Sequence, residues 1–234
     1  MVTALKKRVK VLMENGGGLM VYMILAVPVI VAGMVLHFKL KEWGKGRWNI
    51  LPKCLSTWAV VCVGFLGFVS ADGGRDMEKS WILAALLLFL LADGFLEIQF
   101  FLGMGVFGAG HLLLIIWILR QGAWSLISLP VWAVFLGLSL LLFQKELREG
   151  KNHPKIYLMI LYPAILMGMA ALAVVLPWKL GIDYLWAGVG AVLFAVSDLM
   201  VGKGFFHKLS RSMNYLALSL YYGGIFFLAL MIWV

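Results

Sequence analysis

The chain has 234 residues, of which 63% are hydrophobic and only 13% are charged, and its mean hydropathy is +0.98. A soluble domain of this length cannot bury so much apolar surface, so the composition excludes a soluble globular protein and indicates a polytopic membrane protein. The net charge of +9 is spread over the loops and the basic start. Its expected partners are therefore the headgroups of membrane lipids, and no nucleic-acid partner is expected.

The apolar runs are continuous and about 18–20 residues long, which favours helices over β-barrel strands. Residues 1–18 form a basic N-terminal segment, and the run after it is longer than a secretory signal core, so we expect it to be retained. Residues 19–234 then form a single transmembrane domain. The predicted fold is all-α, a polytopic membrane bundle of about eight helices, with spans at Leu19–Leu36, Cys54–Ser70, Trp81–Ile98, Phe100–Leu119, Leu126–Phe143, Ile156–Leu176, Tyr184–Val201 and Tyr215–Val234.

The connections between the spans are short and polar, except around Gln99, where the third and fourth spans join almost without a break. Eight spans place both termini on one side of the membrane, called side A, and leave side B opposite. Side B receives more lysine and arginine, which indicates that it is cytoplasmic, although the basic N-terminus argues for the other orientation. We expect an integral protein of a bacterial cell membrane.

Two aspartates interrupt these spans, Asp93 in LLLFLLADG and Asp198 in AVLFAVSDL. A charged side chain at the centre of a membrane helix costs roughly 2.5–3.5 kcal/mol, so each needs a partner, water or a function. The two segments lie four spans apart and resemble each other. That similarity fits either an internal duplication or a shared hydrophobic composition.

Topology predicts that several polar side chains share one depth. Both aspartates lie near the side B ends of their spans. Lys53, His111 and the pair Tyr221 and Tyr222 belong to spans that start on side B. We therefore expect all six side chains in the same half of the bilayer.

Each of these residues also has a simpler interpretation. The first aspartate could be a carboxylate at the headgroup level beside Glu97, and the second could pair with Lys203. Lys53 and the two tyrosines are typical of interfacial anchors. A neutral His111 could bond to a neighbouring backbone group. The four histidines are too scattered for a metal site, so no metal and no cofactor is expected.

The order and spacing of five segments resemble the YhhN family of membrane proteins, to which the lysoplasmalogenases belong. The resemblance runs from about residue 51 to the C-terminus. It rests on PKCLS, LLADG, FLGMGVFGAGHLLLI, GAVLFAVSDLMVG and LYYGG, which contain Lys53, Asp93, His111, Asp198, Tyr221 and Tyr222. The chain departs from the usual family pattern at Ala92, Leu114 and Ile225.

The resemblance implies an enzyme that hydrolyses the vinyl ether bond of a lysoplasmalogen, releasing a fatty aldehyde and a glycerophospho-headgroup product. The expected ligand is a lysophospholipid or another single-chain amphiphile. Cleavage requires protonation of the outer alkene carbon and capture of the resulting oxocarbenium ion by water. Two carboxyl groups can divide such acid and base roles, as they do in glycosidases.

The expected catalytic residues are Asp93 and Asp198, with His111 orienting one carboxyl or relaying its proton. Lys53 would bind the lipid phosphate or favour ionisation of one aspartate, and Tyr221 and Tyr222 would hold the headgroup or water. Buried aspartate and histidine also fit a second function, a proton-coupled transporter or lipid-binding protein. A third is a structural or assembly subunit, for which the polar residues would be superfluous. A transporter would be expected to show interrupted helices at matching positions of its two halves.

Overall fold

The computed structural model describes residues 17–44, 46–70, 76–122, 124–149 and 156–234. Most of the basic N-terminal segment, residues 1–16, lies outside this part of the chain. The described residues form nine α-helices: α1 Gly17–Glu42, α2 Ile50–Ser70, α3 Met77–Ile98, α4 Phe100–Arg120, α5 Ser128–Leu142, α6 Gln144–Glu149, α7 Ile156–Leu180, α8 Leu185–Phe206 and α9 Arg211–Leu230.

The predicted helical membrane bundle is confirmed. Seven of the described helices are long and apolar enough to cross a bilayer. The remaining predicted span, Leu126–Phe143, corresponds to α5, which has 15 residues. At 1.5 Å per residue its length is about 22 Å, against about 30 Å for the hydrocarbon core. The chain is therefore an integral membrane protein in which one of the predicted spans is shorter than the others.

The predicted tight junction between the third and fourth spans is also confirmed. Helix α3 ends at Ile98 and α4 begins at Phe100, with Gln99 between them in an extended conformation. The corner depends on a glycine one turn into α4. A Cβ at Gly103 would lie 2.6 Å from the Cα of Leu96. The two helices therefore pack along their length as a hairpin, which brings the end of α3 beside the start of α4.

Close helix contacts elsewhere also rely on glycines, as expected where lipid supplies no hydrophobic driving force. Between α8 and α9, a Cβ at Gly190 would lie 2.8 Å from the carbonyl oxygen of Gly224. Between α3 and α4, a Cβ at Gly110 would lie 2.4 Å from the ring of Phe89. These glycines therefore allow α8 to pack closely against α9, and α4 to pack against the ring of Phe89.

The short helix α6 is fixed to the end of α8 by an ionic cluster. Glu146 is 4% exposed, and its Oε1 accepts hydrogen bonds from Lys203 Nζ at 2.5 Å and from His207 Nε2 at 2.9 Å. Lys203 is thus paired with Glu146, so the alternative in which it pairs with Asp198 is wrong. Burial alone would raise the pKa of the Glu146 carboxyl. The hydrogen bond from Lys203, together with a smaller contribution from His207, outweighs that effect and lowers the pKa to about 2.

This lowered pKa predicts a pH-dependent contribution to stability. The folded pKa of about 2 lies below the ordinary value of 4.5. The ion cluster therefore stabilises the protein fully at pH values above 4.5. That contribution is lost as the pH falls toward 2. Glu146→Gln should therefore lower the unfolding temperature in detergent near neutral pH and have little effect near about pH 2. Glu149→Gln, at an exposed glutamate 3.9 Å from Lys145, is the control; a deficit of Glu146→Gln that is constant with pH would contradict the interpretation.

Candidate active site

The first of two polar clusters surrounds Asp93 near the end of α3. Asp93 is 1% exposed, and its Oδ1 lies 3.3 Å from Lys53 Nζ. Its Oδ2 accepts hydrogen bonds from the hydroxyls of Thr57 and of Tyr221, the latter at 2.7 Å. Lys53 and Thr57 are four residues apart and share one face of α2. Helices α2, α3 and α9 thus meet around a fully bonded carboxylate.

Tyr222, the residue after Tyr221, contacts the same cluster through the backbone of Lys53. The hydroxyl of Tyr222 donates to the backbone carbonyl of Lys53 at 3.1 Å. Both tyrosines are buried, so their side chains are not interfacial anchors. Their contacts instead fix the position of the Lys53 backbone and of the Asp93 carboxylate.

Lys53 also contacts a second carboxylate, one turn along α3. Its Nζ lies 3.5 Å from Oε1 of Glu97. Glu97 in turn accepts a hydrogen bond from Asn49 at 3.4 Å and lies 4.0 Å from His37 Nε2. The carbonyl of Asn49 is 2.7 Å from His37 Nδ1, which therefore carries a proton. Lys53 thus holds one positive charge between two carboxylates.

The second cluster contains Asp198 of α8. Oδ2 of Asp198 accepts a hydrogen bond from the hydroxyl of Tyr162 in α7. The same hydroxyl oxygen lies 3.5 Å from Nε2 of His111 in α4. Within the described ranges, no lysine, arginine or histidine lies at ion-pair distance from Asp198. The two aspartates therefore differ in their partners: Asp93 pairs with the ammonium of Lys53, and Asp198 accepts a hydrogen bond from the phenol of Tyr162.

His111 is enclosed by aromatic rings. It is 0% exposed, and its ring centroid lies 4.7 Å from Phe194 and 5.1 Å from Phe89. Its Nδ1 has no hydrogen-bond partner in the part of the chain that the structure describes. No described backbone group therefore bonds to this histidine, and its one polar contact through a ring nitrogen in these residues is with Tyr162.

Aromatic rings also separate the two clusters. The ring of Tyr221, which binds Asp93, packs 5.3 Å from Phe194 and 5.9 Å from Phe107. The centroids of the Phe107 and Phe194 rings lie 5.8 Å apart, and Phe194 also contacts the ring of His111. The structure thus places Lys53, Asp93, Tyr221 and Tyr222 in one cluster and His111 and Asp198 in the other, and the ring of Phe194 contacts both. It places Asp93 and Asp198 in different hydrogen-bonded groups, with no hydrogen bond between them in the described chain.

Two adjoining cavities lie beside these clusters. The first is apolar, contains Asp198 and Tyr162 in its wall, and has an empty volume of about 720 Å³ including its opening. Most of the remaining wall is apolar, including Phe101, Met104, Phe107, Phe143, Met159, Leu166, Leu199 and Phe206.

The second cavity is polar and is lined by His37, Lys41, Lys53 and Glu97. Its boundary with the apolar cavity is shared, because Leu96, Phe100 and Val201 line both. Asp93 itself is in the wall of neither. Of the two aspartates, Asp198 is therefore the one that a molecule in these cavities would touch.

Sequence reasoning did not identify Thr57, Tyr162 or the contact of Glu97 with Lys53. Two of these carried a signal. Thr57 follows Lys53 by four residues, so both lie on one helix face. Tyr162 lies six residues into a span that starts on side B, so its predicted depth matches that of the other polar residues. Its pairing with Asp198 could not be deduced, because the packing of α7 against α8 is not encoded in spacing.

The sequence matches one known protein family. The model of the YhhN family matches residues 48–232, which include all six sequence-predicted site residues. No curated protein and no solved structure matches the chain. Since the family match covers well over half of the sequence, the chain is a membrane protein that belongs to the YhhN family.

Proposed function

We propose that this protein hydrolyses the vinyl ether bond of lysoplasmalogens, releasing a fatty aldehyde and a glycerophospho-headgroup product. One observation carries the proposal: a carboxyl group without a cation partner among the described residues, Asp198, lines an apolar cavity that adjoins a polar, lysine-bearing one. Family membership supports the same activity. We further propose that it acts in a bacterial cell membrane.

The paired cavities suit a single-chain amphiphile. The hydrocarbon tail would occupy the apolar cavity, and the glycerophosphate would occupy the polar cavity beside Lys41 and Lys53. In a lysoplasmalogen the vinyl ether joins these two halves of the molecule. The bond to be cleaved would therefore lie near the shared boundary of the cavities, at Phe100 and Val201, next to the helix turn that carries Asp198.

Asp198 is suited to the role of acid. Asp198 is half-buried in the wall of an apolar cavity. A charge without a counter-ion is costly in such surroundings, so the carboxyl is most stable when it keeps its proton. The reaction begins when this proton is transferred to the outer alkene carbon, and the double-bond electrons form the new C–H bond. The adjacent carbon and ether oxygen then share the positive charge of an oxocarbenium ion.

The resulting carboxylate can serve as the base for the second step. Water adds to the cationic carbon and gives a proton to Asp198, which regenerates the acid and leaves a hemiacetal. The hemiacetal collapses when the glycerol oxygen leaves with a proton and the carbonyl of the aldehyde forms. One water is consumed and no net proton is released, so the cycle balances with Asp198 alone as proton donor and acceptor.

Asp93 then acts through charge. It is enclosed by Lys53, Thr57 and Tyr221 and does not line either cavity. Together with Glu97 it gives the cluster one more carboxylate than ammonium, and a fixed negative charge near the reaction stabilises a developing cation. The ammonium of Lys53 lies beside both carboxylates. Lys53 is therefore better suited to act as their counter-ion than to be the sole ligand of the lipid phosphate.

The test is a comparison of lysolipids. Purified protein is incubated with lysolipids that carry the same headgroup and chain length but an alkenyl, alkyl or acyl linkage, and aldehyde release is measured. We expect aldehyde from the alkenyl compound only, because only a vinyl ether forms an oxocarbenium ion on protonation of carbon. Release of fatty acid from the acyl compound, or no product from any alkenyl lipid, would contradict the proposal and favour transport or lipid binding.

A further inference from the structure

We propose that Tyr162, held in place by His111, is the positioning residue that directs the acidic proton of Asp198 into the apolar cavity. The inference rests on the proposed function, in which Asp198 is the acid. It assigns a role to a residue that neither the sequence motifs nor the family match singles out. It also gives a reason for the enclosed histidine.

The number of protons in the cluster determines the direction of its hydrogen bonds. The phenol of Tyr162 has one proton, and it donates that proton to Oδ2 of Asp198. The contact between the phenol oxygen and His111 Nε2, at 3.5 Å, can then be a hydrogen bond only if Nε2 carries the proton. This requires the neutral Nε2–H tautomer, which leaves Nδ1 unprotonated.

The surroundings of His111 fit that tautomer. Nδ1 has no partner among the described residues and lies beside the rings of Phe89 and Phe194. The other neutral tautomer would bury an N–H without an acceptor there and would leave Nε2 facing the phenol without a proton between them. An imidazolium would bury the same unpaired Nδ1–H and add an uncompensated charge. His111 is therefore a donor that orients the phenol, and not a proton relay.

The phenol in turn decides which oxygen of Asp198 carries the acidic proton. Because Oδ2 accepts the hydrogen bond from Tyr162, it is the carbonyl-type oxygen of the protonated carboxyl. The acidic proton then resides on Oδ1. Tyr162 and Asp198 both line the apolar cavity, so the chain His111–Tyr162–Asp198 fixes the carboxyl in the wall that the alkenyl tail would touch. After proton transfer, the same phenol stabilises the carboxylate.

The kinetic test removes the phenol hydroxyl and keeps its ring. Tyr162→Phe should lower kcat roughly 10- to 100-fold, the effect of losing one hydrogen bond to a charged group, with KM nearly unchanged. Tyr157→Phe, at a tyrosine of the same helix that is 76% exposed, is the matched control and should match the wild type. A Tyr162→Phe variant with wild-type kcat, or one that raises KM alone, would overturn the inference.

Substitutions at His111 separate orientation from proton relay. His111→Gln keeps an N–H donor near the position of Nε2 but cannot titrate, so it should retain kcat within about 5-fold, whereas His111→Leu should lose as much as Tyr162→Phe. The double variant Tyr162→Phe/His111→Leu should be no slower than Tyr162→Phe alone, since both act through one hydrogen bond. Equal loss in His111→Gln and His111→Leu, or additive losses in the double variant, would contradict the assignment.

Infrared spectroscopy provides a readout that does not depend on turnover. The C=O band of a protonated Asp198 is identified by its loss in Asp198→Asn, and it should move to higher frequency in Tyr162→Phe because the hydrogen bond to Oδ2 is gone. A band that does not move would overturn the role of Tyr162 while leaving the acid role intact. The lack of any such band in the wild type would overturn both the role of Tyr162 and the acid role of Asp198.

Discussion

Asp198→Asn should reduce aldehyde release at least 10²- to 10⁴-fold, the usual contribution of a general acid. Asparagine has nearly the same shape, and its side-chain carbonyl can still accept the hydrogen bond from Tyr162. The variant therefore keeps the contact between α7 and α8 but has no acidic proton to give to the alkene carbon. The measurement is the initial rate with a saturating alkenyl lysolipid, together with the unfolding temperature.

The matched control for this variant is Asp183→Asn. Asp183 is an exposed aspartate two residues before the start of α8, whereas Asp198 lies near the end of that helix. Its substitution should therefore leave the rate unchanged. If Asp198→Asn remains folded and turns over within about 3-fold of the wild type, Asp198 is not the acid.

Lys53→Met should destabilise the protein by about 3–5 kcal/mol, the cost of leaving a buried charge without its partner. The substitution keeps an unbranched side chain as far as Cε but removes the only ammonium within ion-pair distance of Asp93 in the described residues. The hydroxyls of Thr57 and Tyr221 cannot replace its charge. The measurement is the free energy of unfolding in detergent, or the shift in unfolding temperature if unfolding is irreversible.

Two further variants distinguish this effect from a general loss of packing. Adding Asp93→Asn to Lys53→Met should restore much of the stability, because the uncompensated charge disappears. Lys41→Met, at an exposed lysine in the wall of the same polar cavity, should cost less than about 1 kcal/mol. A Lys53→Met variant as stable as Lys41→Met would show that the ion pair does not hold the cluster together.

The sequence predicted the helical fold for clear physical reasons, and the shared depth of the polar residues stays a prediction. Long apolar runs specify spanning helices, and helix direction with a rise of 1.5 Å per residue fixes the depth of a side chain. Gln99 also marked the α3–α4 junction correctly. Depth, however, says nothing about which faces of different helices meet.

Partner choice required the structure for that reason. Proximity in sequence suggested that Lys203 could pair with Asp198, yet Lys203 binds Glu146, a residue 57 positions earlier. The partner of Asp198 is Tyr162, which lies in a segment without any sequence motif. Both pairings depend on how α5, α6 and α7 pack against α8, and apolar helices carry little information about that packing.

The separation of the two aspartates was likewise hidden from sequence. Equal depth suggested an acid–base couple that shares one site. In the described residues the two carboxyl groups belong to different hydrogen-bonded groups, and the ring of Phe194 contacts Tyr221 of one group and His111 of the other. This geometry divides the roles between them: Asp93 is a charge held by Lys53, and Asp198 faces the cavity.

The central claim is that turnover begins with proton transfer from solvent-exchanged Asp198 to the outer alkene carbon. Turnover of an alkenyl lysolipid in D₂O, with immediate reduction of the released aldehyde to the alcohol, tests it by mass spectrometry. One deuterium is predicted at the carbon next to the former carbonyl. A saturated aldehyde carried through the same incubation corrects for exchange. Product without deuterium at that carbon would contradict protonation as the first step.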